Sequence, residues 1–142
     1  MTAAMPSGRP IASRLRYLPI AVAASIVHLL MMIPGYSDDG EFQVVEWLSI
    51  LAFSLVVGLL VFAFVVPGAG AVSGVVLAAL ALATVVVFWA GLTLPLAAAA
   101  ALVGWQARQR GERVGLATAA LVLSGVAVIA LVAIIIGDAV SS

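Results

Sequence analysis

The sequence predicts an all-α fold, a polytopic transmembrane helical bundle with five spans at about 17–33, 44–66, 71–90, 93–107 and 115–136. Three observations carry that prediction. The chain is 65% hydrophobic and only 8% charged over 142 residues, with a mean hydropathy of +1.33, whereas a soluble domain is about 45–50% apolar and about 25% charged. So little charge cannot cover a water-facing surface, which makes lipid the solvent. The apolar sequence is also cut at intervals by Pro-Gly pairs and single glycines. Finally, the arginines fall in two clusters, and these constrain the number of crossings.

Residues 1–16 mix small, polar, proline and arginine residues without an apolar period, and read as a disordered cytoplasmic tail. From Tyr17 to Ile33 the chain is apolar apart from Ser25 and His28, long enough to span with little tilt. Pro34-Gly35 stops that run, and a loop carrying Asp38, Asp39 and Glu41 follows. The second run, Val44 to Val66, is interrupted by Glu46, Ser49 and Ser54 and ends at Pro67-Gly68.

The stretch from Ala71 to Ala107 is too long for one crossing. At about 1.5 Å per residue it would run about 55 Å, against a hydrocarbon core of about 30 Å. Gly91 and Pro95 break it near its middle, giving two spans joined by a tight turn. The second of these is short, about 22 Å by the same rise, and needs local thinning or arginine snorkelling. The alternative is an interfacial helix, but the segment from Leu92 to Trp105 has no polar face to lay on headgroups. The last span runs from Gly115 to Ile136. Gly137-Asp138 closes it, leaving 138–142 as a short external tail and 17–137 as a single transmembrane domain.

Charge checks the count independently. Arg9, Arg14 and Arg16 precede the first span, and Arg108, Arg110 and Arg113 lie between the fourth and fifth. The positive-inside rule wants both clusters in the cytoplasm. Five spans achieve this, with the N-terminus cytoplasmic and the C-terminus external in the plasma (inner) membrane; four spans strand one cluster outside. Aromatic residues agree: Tyr17 and Trp105 fall at the cytoplasmic boundary, and Tyr36, Trp47 and Trp89 at the outer one. The first span is too long for a signal-peptide core and lacks a small-x-small site after it, so it reads as retained.

His28 and Glu46 are the strongly ionisable side chains well inside the spans, and they form the candidate functional pair. His28 lies about 9 Å below the outer end of its helix and Glu46 about 5 Å below the same surface, so a contact between them is geometrically open. A proton-linked gate or a divalent-ion contact is the sharp reading, because ionisable groups in membranes attract functional suspicion. In the plain reading Glu46 snorkels to water and a neutral His28 bonds a neighbouring helix. Two residues make a thin metal site even with the loop acids added, and with no cysteine thiolate chemistry is excluded.

No catalytic or cofactor motif emerges. The hydroxyls of Ser49, Ser54, Ser73, Thr84 and Thr118 have no base near them except His28, and a triad also needs an orienting acid and an oxyanion hole. The segment Gly111 to Gly115 imitates a phosphate loop without the preceding strand or the Lys-Ser/Thr. Arg108, Arg110 and Arg113 are read as lipid headgroup contacts. Zero net charge argues against nucleic acid as a partner. Small residues four apart, at Gly70, Gly74 and Ala78, at Ala97 and Ala101, at Ala100 and Gly104, and at Ala120 and Ser124, predict close helix packing within the bundle or between copies.

Gly104, Ala107, Arg108, Gly111 and Gly115 form a Gly-x-x-Ala-Arg pattern, a basic glycine turn and then a small-residue-rich span. This resembles the helical hairpin of small uncharacterised multi-pass membrane proteins of actinobacteria, over about a third of the chain, and implies no activity. The expected function is that of a non-catalytic accessory subunit or scaffold, partnered by the bilayer and by a membrane protein or a second copy. A small oligomeric channel or proton-linked transporter using His28 and Glu46 is the alternative, and a lipid-active membrane enzyme comes third.

Overall fold

A computed structural model of the chain describes residues 15–36, 44–87 and 91–141. Among these residues all regular structure is helical, in five helices: α1 (Leu18–Tyr36), α2 (Val44–Leu60), α3 (Ala71–Val85), α4 (Thr93–Gln109) and α5 (Val114–Ser141). The all-α expectation holds, and each helix starts within a residue of the predicted place. Two stretches are long and apolar enough to cross a membrane, Val45–Gly68 and Val114–Ser141. The shorter apolar stretches Leu18–Met31 and Ala71–Val85 accompany them.

Two helices run past the breakers expected to end them. α1 continues through Pro34-Gly35 to Tyr36, because a proline in a final turn removes one backbone bond that fraying would weaken anyway. Likewise α5 runs through Gly137 to Ser141, and the Ser141 hydroxyl donates back to the Gly137 carbonyl at 2.8 Å. A glycine in a helix costs only about 1 kcal/mol. At α3 the reverse occurs: the helix stops at Val85, with Val86 and Val87 turning away, and the expected residues 88–90 lie outside the described ones. Asp38, Asp39, Glu41, Trp89, Arg9 and Arg14 also lie outside them.

Pro67 shapes the end of α2. The helix widens into a π turn over Val61–Val65, where the Val66 N–H bonds Val61, and then tightens into a 3-10 turn over Val66–Gly68. Widening ahead of a proline moves the carbonyl that its ring would otherwise strike. Phe62 and Val66 are fully buried by this arrangement.

α3, α4 and α5 pack on one another as a three-helix core, while the α1–α2 hairpin lies alongside with α1 against α4. The predicted small faces are spent here. A Cβ on Gly74 would meet Ala120 Cβ at 3.1 Å and Val103 Cγ1 at 3.2 Å, and Ala78, Ala97, Ala100 and Ala120 are buried. Small residues on facing helices are what permits backbones to approach this closely.

Candidate functional site

Gln106 Nε2 donates to the Tyr17 hydroxyl at 2.8 Å, which levels the foot of α1 with the end of α4. From there α4 rises about 18 Å to Leu94, and α1 rises about 16 Å to His28. The first turn of α4 therefore opens inside the bundle, level with the middle of α1, and α1 carries on about 12 Å beyond it.

A helix N-terminus in an apolar interior exposes backbone donors that must find partners. Pro95 has no N–H to satisfy, and Leu96 N–H bonds the Leu92 carbonyl. The Leu94 N–H donates to Nδ1 of His28 at 3.3 Å. A ring nitrogen that accepts carries no proton, so this geometry assigns the neutral ring with its hydrogen on Nε2. His28 thus caps α4 from a neighbouring helix.

The turn leading into α4 is satisfied in the same way. Ser54 of α2 donates to the Gly91 carbonyl at 2.7 Å and stands 3.1 Å from the Ser25 hydroxyl of α1, sharing its one proton between them. Thr84 of α3 donates to the Ala81 carbonyl at 2.8 Å and lies 3.2 Å from the Thr93 hydroxyl. Ser25, His28, Ser54 and Thr93 are all 0% exposed. Among the described residues every buried side-chain nitrogen or oxygen has a hydrogen-bond partner. The result is a sealed polar knot tying α1, α2, α3 and α4 around one turn.

Gly91 makes that turn possible. Its φ of +73° is left-handed, and a Cβ there would press on Ile50 Cγ2 at 3.3 Å and Ser54 Cβ at 3.4 Å. Gly91→Ala is expected to cost about 1–2 kcal/mol from the backbone alone, read as a lowered melting midpoint in mild detergent.

The knot does not bring His28 and Glu46 together. Ser25 meets Ser54, and from that contact His28 lies about 4.5 Å up α1 while Glu46 lies about 12 Å up α2. Glu46 is exposed in the first turn of α2, so the two stand at different depths. Ser49 is exposed and donates to its own helix at Val45 O, 2.8 Å away. Among the described residues no group of three or more His, Asp or Glu is arranged to hold a metal ion.

Opposite the knot lies a basic end. Ala107 accepts from the Glu112 N–H at 3.0 Å and Arg108 from the Gly111 N–H at 3.1 Å, with Gly111 at φ +70°. This is the glycine-terminated helix stop; the resemblance to a phosphate loop ends there. Arg110 donates to the Ala69 carbonyl at 3.0 Å and pairs with Glu112 at 3.3 Å, clamping the α4–α5 turn to the α2–α3 turn. Arg108 and Arg113 are exposed, and the Arg16 guanidinium lies 5.8 Å over the Tyr17 ring.

Ser54 and Thr84 stand in the sequence as hydroxyls without a base beside them, and Ser25 and Thr93 carry no motif. One signal was available: Ser25 and His28 are three apart, hence on one helix face, opposite a Gly-x-Thr-x-Pro helix start at Gly91, Thr93 and Pro95. Protein-family models, curated proteins and solved structures give no match for this chain.

Proposed function

We propose that the chain is a five-span plasma-membrane protein, N-terminus cytoplasmic and C-terminus external, acting as a non-catalytic accessory subunit or scaffold. One observation carries the membrane part: large apolar side chains cover the outside of the bundle. The buried set includes Ser25, His28, Ser54, Thr93 and Ser124, while Leu30, Phe53, Phe64, Val76, Val122 and Ile129 face outward. A soluble protein rarely exposes apolar surface on this scale. The common level of Arg16, the α2–α3 turn and the α4–α5 turn supports the orientation, since both basic clusters then share one side. The non-catalytic reading rests on the knot, whose hydroxyls and His28 Nδ1 are engaged with backbone and with each other.

One observation favours the transport alternative. α4 begins inside the bundle, as half-helices do at ion and substrate sites. Its polar neighbours are sealed and mutually bonded, however, and Glu46 lies outside their contact.

Because the chain has no cysteine, single introduced thiols report topology cleanly. Ser141→Cys is expected to react with a membrane-impermeant maleimide on intact cells, and Gln109→Cys only after lysis. A Gln109→Cys thiol labelled from outside would overturn the orientation. For the subunit role, extraction in mild detergent is expected to bring down a stoichiometric membrane-protein partner. Proton flux from the purified chain in liposomes would favour the transporter instead.

A further inference from the structure

The α1 wall and the α5 wall diverge and leave a lateral groove of about 620 Å³ floored by α4. Ile20 and Val27 stand on one wall, Gly125 and Ile129 on the other, and Ala98 and Ala101 form the floor. The polar side chain in its lining, Ser124, already donates to the Leu121 carbonyl at 2.8 Å. A groove lined this way asks for an apolar guest. Its length, about 10–12 Å along α1 and α5, approaches the depth of one leaflet, about 15 Å.

What stands at its foot says which guest. Continuing the α4 floor from Ala98 and Ala101 by helical spacing leads to Trp105 and then Arg108. Trp105 is 55% exposed on the most enclosed helix of the bundle, and Arg108 is exposed beside it. Across the foot, Arg16 lies one turn below Ile20 and is leashed to α4 through Tyr17 and Gln106. The acid described at this end, Glu112, is taken by Arg110. An apolar slot thus runs into an interfacial tryptophan and two arginines with no acid between them among the described residues, which complements the charge and polarity of an anionic phospholipid.

We propose that this groove is a binding site for an anionic phospholipid, one acyl chain lying over Ala98 and Ala101 and the phosphate held by Arg16 and Arg108. The inference rests on the membrane reading above. It assigns Arg110 to the clamp on Ala69 and takes Arg16 in its place as a headgroup ligand.

The test is lipid titration of the detergent-purified full chain by native mass spectrometry, comparing dioleoyl-phosphatidylglycerol with dioleoyl-phosphatidylcholine. Wild type is expected to retain the anionic phosphatidylglycerol preferentially. The double variant Arg16→Gln, Arg108→Gln should weaken that binding roughly thirtyfold. A Cβ at Gly125 meets nothing within 4 Å, so Gly125→Leu should fold, fill the groove and reduce binding of both lipids. Equal retention of the two lipids by wild type overturns the proposal, as does an unaffected double variant. If Gly125→Leu instead changes the size of the complex and leaves lipid binding intact, the groove seats a helix and the proposal fails. The two readings fail separately: a chain absent from the membrane fraction sinks both, whereas a membrane-resident chain without lipid preference sinks only this one.

Discussion

Gly104→Leu is expected to be the most damaging single change in the bundle, costing about 3 kcal/mol or more, at the upper end of overpacking effects. The first atom of the new side chain would lie 2.9 Å from the Ala117 carbonyl oxygen, with Ala120 Cβ at 3.2 Å and Leu121 Cγ at 3.3 Å. A backbone oxygen cannot swing aside as a side-chain tip can, so α4 and α5 must separate. Separation also undoes the Gly74–Ala120 contact with α3, because Gly74 lies against both Ala120 and Gly104. The loss is therefore shared by three helices. A titration with denaturing detergent, followed by far-UV circular dichroism, should show an early transition; Gly104→Ala should fall between it and wild type. Gly137→Ala is the control, since a Cβ there meets nothing within 4 Å and alanine gains up to about 1 kcal/mol of helix propensity. An unshifted midpoint for Gly104→Leu would mean that α4 and α5 do not approach as described.

The contrast between these glycines marks how far the sequence was legible. Periodic breakers are local chemistry, so the helix starts at Leu18, Val44, Ala71, Thr93 and Val114 followed from Pro-Gly pairs, Gly91 and the basic turn. Small residues four apart identified Gly74 and Gly104 as contact positions. Nothing in their spacing says whether the partner is another helix of the chain or a second copy. That depends on how the helices assemble, which is a property of the whole chain. The polar knot was legible only in part, through the spacing of Ser25 and His28, for the same reason. Ser25, Ser54 and Thr93 are each unremarkable alone, and they acquire a role only because α4 begins at their depth and leaves backbone groups to satisfy. Arg110 has a second partner that composition does not suggest: grouped with Arg108 and Arg113 as a headgroup ligand, it also donates to the Ala69 carbonyl.

His28→Ala should be the second most costly change, by about 2–4 kcal/mol. Two separate losses contribute. Removing a fully buried ring leaves a cavity that the surrounding helices fill only in part. Removing Nδ1 also strands the Leu94 N–H in an apolar interior, where an unsatisfied donor costs about 1–3 kcal/mol, although measured bonds between membrane helices average nearer 0.6 kcal/mol. His28→Leu separates the two losses, because it restores most of the volume and none of the acceptor; it should recover stability only in part. Glu46→Gln completes the comparison. An exposed carboxylate in the first turn of α2 should be replaceable within about 0.5 kcal/mol. Melting midpoints of the three variants in one detergent then decide between the two roles of His28. If His28 acts as the cap of α4, His28→Ala is destabilised and Glu46→Gln is unchanged. If the residues form a proton-linked pair, the two variants should instead alter the same ion flux in liposomes, and His28→Leu should match His28→Ala in that assay whatever its stability. A His28→Ala chain as stable as wild type would remove the cap, and with it the explanation for a polar side chain at that depth.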